Sequence, residues 1–232
     1  MQRVLQPATV TILLAALSAM LFDARAAAQE GGALYVGGNF GYALSTYGRT
    51  ALDDALASSV SATGYGLALS TSYVRDKQPV WSADIGYMIS RYLSVEGSYL
   101  DLGTLRYFAR GTETSSFNST SIAGNLNISS RGPALALVGV LPMTNDWSVN
   151  ARVGAYESKT KTAYRFAFSS SANVGSEAES STTPVVGAGT TYVLGAHWVL
   201  RLDYLYLDQI KEKLLAKSFN VNLVTAGVAY AF

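Results

Sequence analysis

The chain has no cysteine and a single histidine, His197. Without thiols there are no disulfides and no thiolate metal sites, and one imidazole excludes most zinc sites. Charge is scarce, at 14% of residues. The 17 basic residues nearly cancel the 16 acidic ones, so no strong field points to nucleic acid. Beyond residue 22 no apolar run reaches the roughly 18 residues that a helical membrane span requires. No glycine-rich phosphate loop follows a strand and opens a helix, so Gly37 and Gly38 read as wall packing. What remains is rich in Gly, Ser, Thr, Tyr and Ala. By composition alone it would suit a low-complexity extracellular segment; periodicity decides otherwise.

The N-terminus reads as an export signal. Arg3 supplies the charge, Val10 to Phe22 is an apolar run too short to span as a helix, and Ala26-Ala27-Ala28 offers small residues at the cleavage spacing. Cleavage after Ala28 takes Arg3, Arg25 and Asp23 with it. The remaining 29–232 then holds 15 basic and 15 acidic residues.

The end of the chain sets the pattern. Phe232, Tyr230, Val228, Ala226 and Val224 make one apolar face, while Ala231, Ala229, Gly227 and Thr225 make a small one. A strand that is greasy on one side and narrow on the other suits the wall of a barrel in lipid. Eight segments alternate in this way: 34–43, 80–89, 93–102, 133–141, 147–156, 184–193, 198–207 and 219–232. Each is near the ten or so residues that a tilted membrane strand needs. The sixth has an uncertain outer face, because Gly187 and Gly189 oppose Val186, Ala188 and Tyr192. Connections alternate short (90–92, 142–146, 194–197) and long (44–79, 103–132, 157–183, 208–218). The long ones are polar. Asp53 to Ala57 suggests a short helical turn, and the alternation around Leu105, Tyr107 and Ala109 and around Ala163, Arg165 and Ala167 would extend the hairpins above the membrane.

A soluble β-barrel would turn the apolar face inward. The aromatics argue for lipid instead. Tyr92, Trp147, Trp198 and Phe232 share one rim, and Trp81, Tyr42, Tyr99, Tyr156 and Tyr206 lie near the other. Two girdles separated by aliphatic residues belong at two membrane interfaces. The predicted fold is all-β: an eight-stranded, antiparallel, up-and-down transmembrane barrel.

With these segments laid out, the chain resembles the OmpA-like family of small outer-membrane barrels, including its OmpX and opacity-protein relatives. The pieces that carry the likeness are YVGGNFGY (35–42), LSVEGSYLDLG (93–103), ALALVGVLP (134–142), WSVNARVGAY (147–156), LRLDYLYL (200–207) and AGVAYAF (226–232). The resemblance implies a monomer in the Gram-negative outer membrane with no cofactor, whose Phe232 strand engages the barrel-assembly machinery. Larger members append a peptidoglycan-binding domain. This chain stops at Phe232, so cell-wall tethering is not carried over.

Inward parity places Asp84, Glu96, Arg152, Arg201 and Asp203 in the lumen at overlapping heights. An eight-stranded barrel has room inside only for its own side chains. Unpaired ions there are costly, so the two arginines are expected to pair with the three carboxylates. The resemblance points the same way, since the family's barrels hold an internal carboxylate–guanidinium network and Glu96 and Arg201 fall in matching motifs. Such a network acts either as a plug or as the gate of a narrow ion path. Asp101 reads as a rim residue. Twelve basic residues, Arg131, Lys159 and Lys161 among them, fall in the long connections. They would face lipopolysaccharide phosphates or lie in solvated loops offset by acids.

Three functions therefore stand as expectations. The first is a structural outer-membrane protein whose loops meet a host or surface ligand. The second is a gated, low-conductance pore. The third is a lipid A-modifying enzyme, which His197 disfavours because it sits at a short turn on the rim opposite the outer leaflet.

Overall fold

The computed structural model describes residues 32–45, 48–61, 66–75, 77–114, 119–167, 172–212 and 217–232. The export signal expected over 1–28 lies outside them. The elements are β1 (Leu34–Ser45), α1 (Arg49–Ser61), β2 (Gly66–Arg75), β3 (Lys77–Ser90), β4 (Leu93–Thr114), β5 (Ser119–Pro142), β6 (Trp147–Ala167), β7 (Ala172–Leu194), β8 (Trp198–Glu212) and β9 (Lys217–Ala231).

Every pairing is antiparallel. The ladder runs β3-β4-β5-β6-β7-β8-β9-β1 and closes when β1 pairs with both β9 and β3. The remaining segment, β2, lies against the outer part of β4, from Arg75↔Arg106 to Gly66↔Thr114, whereas β3 lies against its inner part. Nine segments thus fill eight wall positions, the second position being shared end to end by β2 and β3. Closure leaves no open edge in the membrane zone, which a lipid-embedded sheet requires.

The alternation in each strand fixes which side meets lipid. Ile85, Leu135, Leu137, Val153, Leu202 and Val228 are all exposed large aliphatics, with Leu135 at 62%. A continuous apolar band of this kind is a liability in water and a necessity in lipid. The sixth strand of the sequence reading resolves with Val186, Ala188 and Tyr192 outward and Gly187 and Gly189 inward. The short-turn rim carries Tyr92, Trp147 and Trp198, all exposed. Phe232 packs edge-on to Tyr230 at 5.1 Å, and its N–H donates to the Leu34 carbonyl at 2.9 Å. The opposite rim carries Trp81, Phe40, Tyr42 and Tyr99.

Three expectations change. Tyr156 is not part of the outer girdle. It is fully buried inside the barrel, as its even-numbered parity in β6 demands, with its hydroxyl 3.3 Å from Ser130 Oγ. In 103–132 and 157–183, by contrast, the hairpin extension expected from their alternation is present and runs to the outer end of each described strand. β4 and β5 stay paired out to Thr114↔Ser119, and β6 and β7 out to Ala167↔Ala172. In 44–79 the expected turn at 53–57 is a 13-residue helix, α1, followed by β2. The backbone of these segments is satisfied by pairing rather than by water, which polar composition alone does not reveal.

The third change concerns the interior. The lumen is not lined only by small and ionic groups. Val80, Leu100, Leu205 and Leu223 form a buried apolar layer on the hairpin side of the charges, and Tyr156, Leu207, Leu105, Ile128, Ile210 and Phe219 continue it outward. Two bulges hide the outer part of this core, in β4 and β8, from simple parity counting. In β4 the register shifts between Asp101 and Thr104. Gly103, at φ +73°, supplies the left-handed backbone that other residues adopt only with strain. Inward positions are even-numbered before the shift (Glu96, Leu100, Leu102) and odd-numbered after it (Leu105, Tyr107, Ala109). A second shift, between Leu207 and Ile210, does the same in β8.

α1 is docked into this outer core. Leu52 is buried among the core side chains. Asp53 accepts hydrogen bonds from Tyr107 Oη at 2.7 Å and Ser72 Oγ at 2.8 Å. Burial first, and then the hydrogen bond to Asp53, push the Tyr107 phenol above the ordinary tyrosine range, so the donor keeps its proton in alkaline solution.

Candidate functional site

The five ionisable residues singled out in the sequence meet in one cluster at mid-barrel. β3 supplies Asp84, β4 Glu96, β6 Arg152, and β8 both Arg201 and Asp203. Arg152 holds Glu96 Oε1 at 2.9 Å with one terminal nitrogen and Asp203 Oδ1 at 2.9 Å with the other. Arg201 holds Glu96 Oε2 at 2.9 Å, Asp203 Oδ2 at 3.3 Å and Asp84 Oδ2 at 3.7 Å. Glu96 therefore bridges the two guanidiniums and is 2% exposed. Each guanidinium is shared among carboxylates, one nitrogen to each, and this mutual pairing offsets part of the desolvation of the buried ions.

Three carboxylates against two guanidiniums leave one surplus negative charge, and neutral donors meet it. Tyr35 Oη donates to Glu96 Oε2 at 2.9 Å. Ser82 Oγ donates to Asp84 Oδ1 at 3.1 Å, and Asn39 Nδ2 donates to Asp84 Oδ2 and to Ser82 Oγ. Sequence reading missed Tyr35 and Asn39. Their inward parity in β1 was the available signal, but neutral polar residues at inward positions are common and carry no charge to balance.

The glycines of β7 make room for the network. A Cβ at Gly189 would stand 2.1 Å from Asp203 Oδ1 and 2.7 Å from the Leu202 carbonyl. Gly189→Ala is therefore expected to cost about 1–3 kcal/mol through overpacking. Urea titration of the refolded barrel in lipid vesicles measures this. Ala188→Val, on the lipid face one position away, is the control expected to be near neutral.

Little space is left inside. A cavity of about 20 Å³ lies between the charges and the apolar layer, bordered by Asn39, Asp84, Arg152, Asp203, Leu205 and Leu223. That volume suits one water molecule and no hydrated solute. Further out, a cavity of about 10 Å³ is bordered by Gln78, Leu105, Ile128, Ser130, Phe219 and Val221.

His197 sits in the turn before β8. Its Nδ1 is 3.0 Å from the Ala231 carbonyl oxygen, and its ring stacks on Tyr230 at 5.1 Å. It is a packing residue of the short-turn rim and is remote from the lumen cluster.

A closed ring of antiparallel strands with aliphatic side chains outside, aromatic rims and an ion-paired interior defines an integral membrane β-barrel. The chain belongs to the outer membrane protein beta-barrel domain family, whose profile matches residues 12–232, and it is an outer-membrane protein. No curated protein matches the sequence. Among solved structures the chain is similar to Ail, the attachment invasion locus protein of Yersinia pestis, with 16% identity, TM-score 0.43, and 88% of this chain and 100% of that one covered. It is similar to OprG from Pseudomonas aeruginosa, with 13% identity, TM-score 0.48, and 88% and 97% covered. It is also similar to the outer membrane protease OmpT from Escherichia coli, with 8% identity, TM-score 0.47, and 86% and 97% covered.

Proposed function

We propose that this protein is a closed barrel that anchors an ordered extracellular sheet for surface interaction. One observation carries the reading: the lumen is filled at two successive heights, first by the ion network and then by the apolar layer of Val80, Leu100, Leu205 and Leu223. A gate made of the network alone would still open onto a dry hydrophobic plug. The sheet above the plug is built to present surface. β8 pairs with β7 only from Val185 inward. Beyond Val185 the ladder gives way to one side-chain contact, from the Lys211 N–H of β8 to Ser181 Oγ at 3.4 Å, and among the described residues no strand pairs with the other side of β7 over 172–180, an edge of the kind where extended partners add. Lipid-modifying chemistry has the least support, since His197 packs on the periplasmic rim.

The test has two arms. In planar bilayers, neither the refolded protein nor its Glu96→Ala variant should give discrete conductance steps. Steps that enlarge in Glu96→Ala would replace this reading with the gated pore. In cells, deleting 163–176, whose ends are cross-strand partners, should abolish surface attachment while the barrel stays heat-modifiable on gels. Undiminished attachment would remove the surface role.

A further inference from the structure

Among the described residues the mid-barrel charges are three carboxylates and two guanidiniums, and the surplus negative charge is not shared evenly. Glu96 has both arginines at 2.9 Å. Asp203 has Arg152 at 2.9 Å and Arg201 at 3.3 Å. Asp84 has Arg201 alone, at 3.7 Å, which is beyond hydrogen-bond length. Its other partners, Asn39 and Ser82, are neutral. Neutral donors lower the energy of a buried carboxylate but leave its charge in place, and an uncompensated charge in a closed interior is costly. The surplus therefore rests on Asp84.

The cavity of about 20 Å³ lies on that side of the network. Besides Asp84 it is bordered by Asn39, Ser82, Ser98 and Thr225, whose side chains offer one amide carbonyl and three hydroxyl oxygens. They come from β1, β3, β4 and β9, so closure of the wall is what brings them together. Asn39 is 8% exposed, and its Oδ1 has no hydrogen-bond partner. That oxygen stands against Gly227, where a Cβ would meet it at 2.0 Å, and Gly227 is two positions along β9 from Thr225. Its Nδ2 is held by Asp84 and Ser82, so the amide cannot turn without giving up both bonds. A buried carbonyl oxygen that meets neither a donor nor a cation bears the full cost of its lost hydration. Arg152 also borders the cavity, but its two terminal nitrogens are taken by Glu96 and Asp203.

We propose that this cavity is a structural site for one monovalent cation of sodium's size, ligated by Asp84 and Asn39 Oδ1, with the hydroxyls of Ser82, Ser98 and Thr225 completing the shell. The donor set selects the class of ion. Every donor is a hard oxygen, with no sulfur or imidazole among them. The charge balance selects the valence. One positive charge brings the network to neutrality, whereas a divalent ion would reverse the imbalance beside two guanidiniums. The volume admits an ion the size of a water molecule only after it has shed its own hydration shell. The ion is a fixed part of the interior rather than cargo, because Val80, Leu100, Leu205 and Leu223 close the lumen on its outward side. The inference is independent of what the extracellular sheet meets.

The test is thermal unfolding of the protein refolded into phosphatidylcholine vesicles in mildly alkaline buffer, with sodium chloride replacing choline chloride at constant ionic strength. Sodium should raise the unfolding temperature saturably, by about 4 °C or more. Choline is too large for the cavity and sets the baseline. Asp84→Asn removes the surplus charge and keeps the shape of the side chain. It should leave a folded barrel whose unfolding temperature no longer responds to sodium. Asp54→Asn, at an exposed acid of α1, should keep the full response. Equal unfolding temperatures in sodium and choline overturn the proposal. So does a sodium response that survives Asp84→Asn, since the ion then binds elsewhere. Stability that rises as the pH falls, with no effect of sodium, assigns the balancing charge to a proton on Asp84 and equally overturns it.

Discussion

Replacing Arg201 by methionine is expected to destabilise the folded barrel by about 3–5 kcal/mol, the cost of breaking a buried ion pair from one side. Arg201 touches all three lumen carboxylates. Its removal leaves Asp84, Glu96 and Asp203 with Arg152 alone, a surplus of two negative charges in a closed interior. Glu96→Ala should cost less. It strands one nitrogen on each guanidinium, but it leaves two carboxylates facing two guanidiniums. The order of the two losses therefore separates a network governed by charge balance from one governed by the number of hydrogen bonds. Adding Asp84→Asn to Arg201→Met should restore part of the stability, since it removes one of the unmatched charges. The measurement is the urea midpoint followed by tryptophan fluorescence in vesicles. A loss under about 1 kcal/mol, the range of solvent-exposed pairs, would mean that water enters the lumen freely. The dry plug proposed above would then be untenable.

The second large effect is expected at Tyr156. Truncation to alanine removes a fully buried aromatic from the layer that closes the barrel beyond the charges. The expected cost is about 3–5 kcal/mol, made up of lost transfer energy and a residual cavity. Tyr156→Phe should cost only about 1 kcal/mol, because the hydroxyl's one side-chain partner is Ser130 at 3.3 Å. The ratio of the two losses is diagnostic of position. A tyrosine in an interfacial girdle loses far less on truncation, because lipid refills its place. Comparable small losses in both variants would put Tyr156 back on the lipid face and leave the lumen without its outer stopper.

The sequence carried much of the architecture because a membrane-spanning strand has a two-residue period and one solvent for each face. Segments such as 198–207 and 147–156 show which side meets lipid without any knowledge of their neighbours, and that parity alone put Asp84, Glu96, Arg152, Arg201 and Asp203 on the inside. The same reasoning failed where local chemistry is ambiguous. Gly187 and Gly189 have no side chain to declare a face, and only the paired structure sets Gly187 against Leu205 and Arg152 and Gly189 against Asp203 and Asn150. Tyr156 was read by its height and its residue type, although its parity already placed it inside.

By itself, the amino-acid order determined the outer surface, the aromatic rims, the membrane-spanning strands and the membership of the luminal charge set. These follow from alternation along single strands, a property each segment displays alone. Tertiary structure decided the rest. The bulges at Gly103 and near Gln209 change the parity midway through β4 and β8. As a result Leu105, Tyr107 and Ile210 turn inward to complete the outer core at positions that a fixed two-residue count assigns to the other face. Cross-strand register likewise decides which cations stand side by side. Arg131 and Lys159 are 28 positions apart in the chain and become neighbours only when β5 and β6 pair. Closure and bulging are properties of the assembled sheet, because each depends on which residue of a second strand supplies the next hydrogen bond.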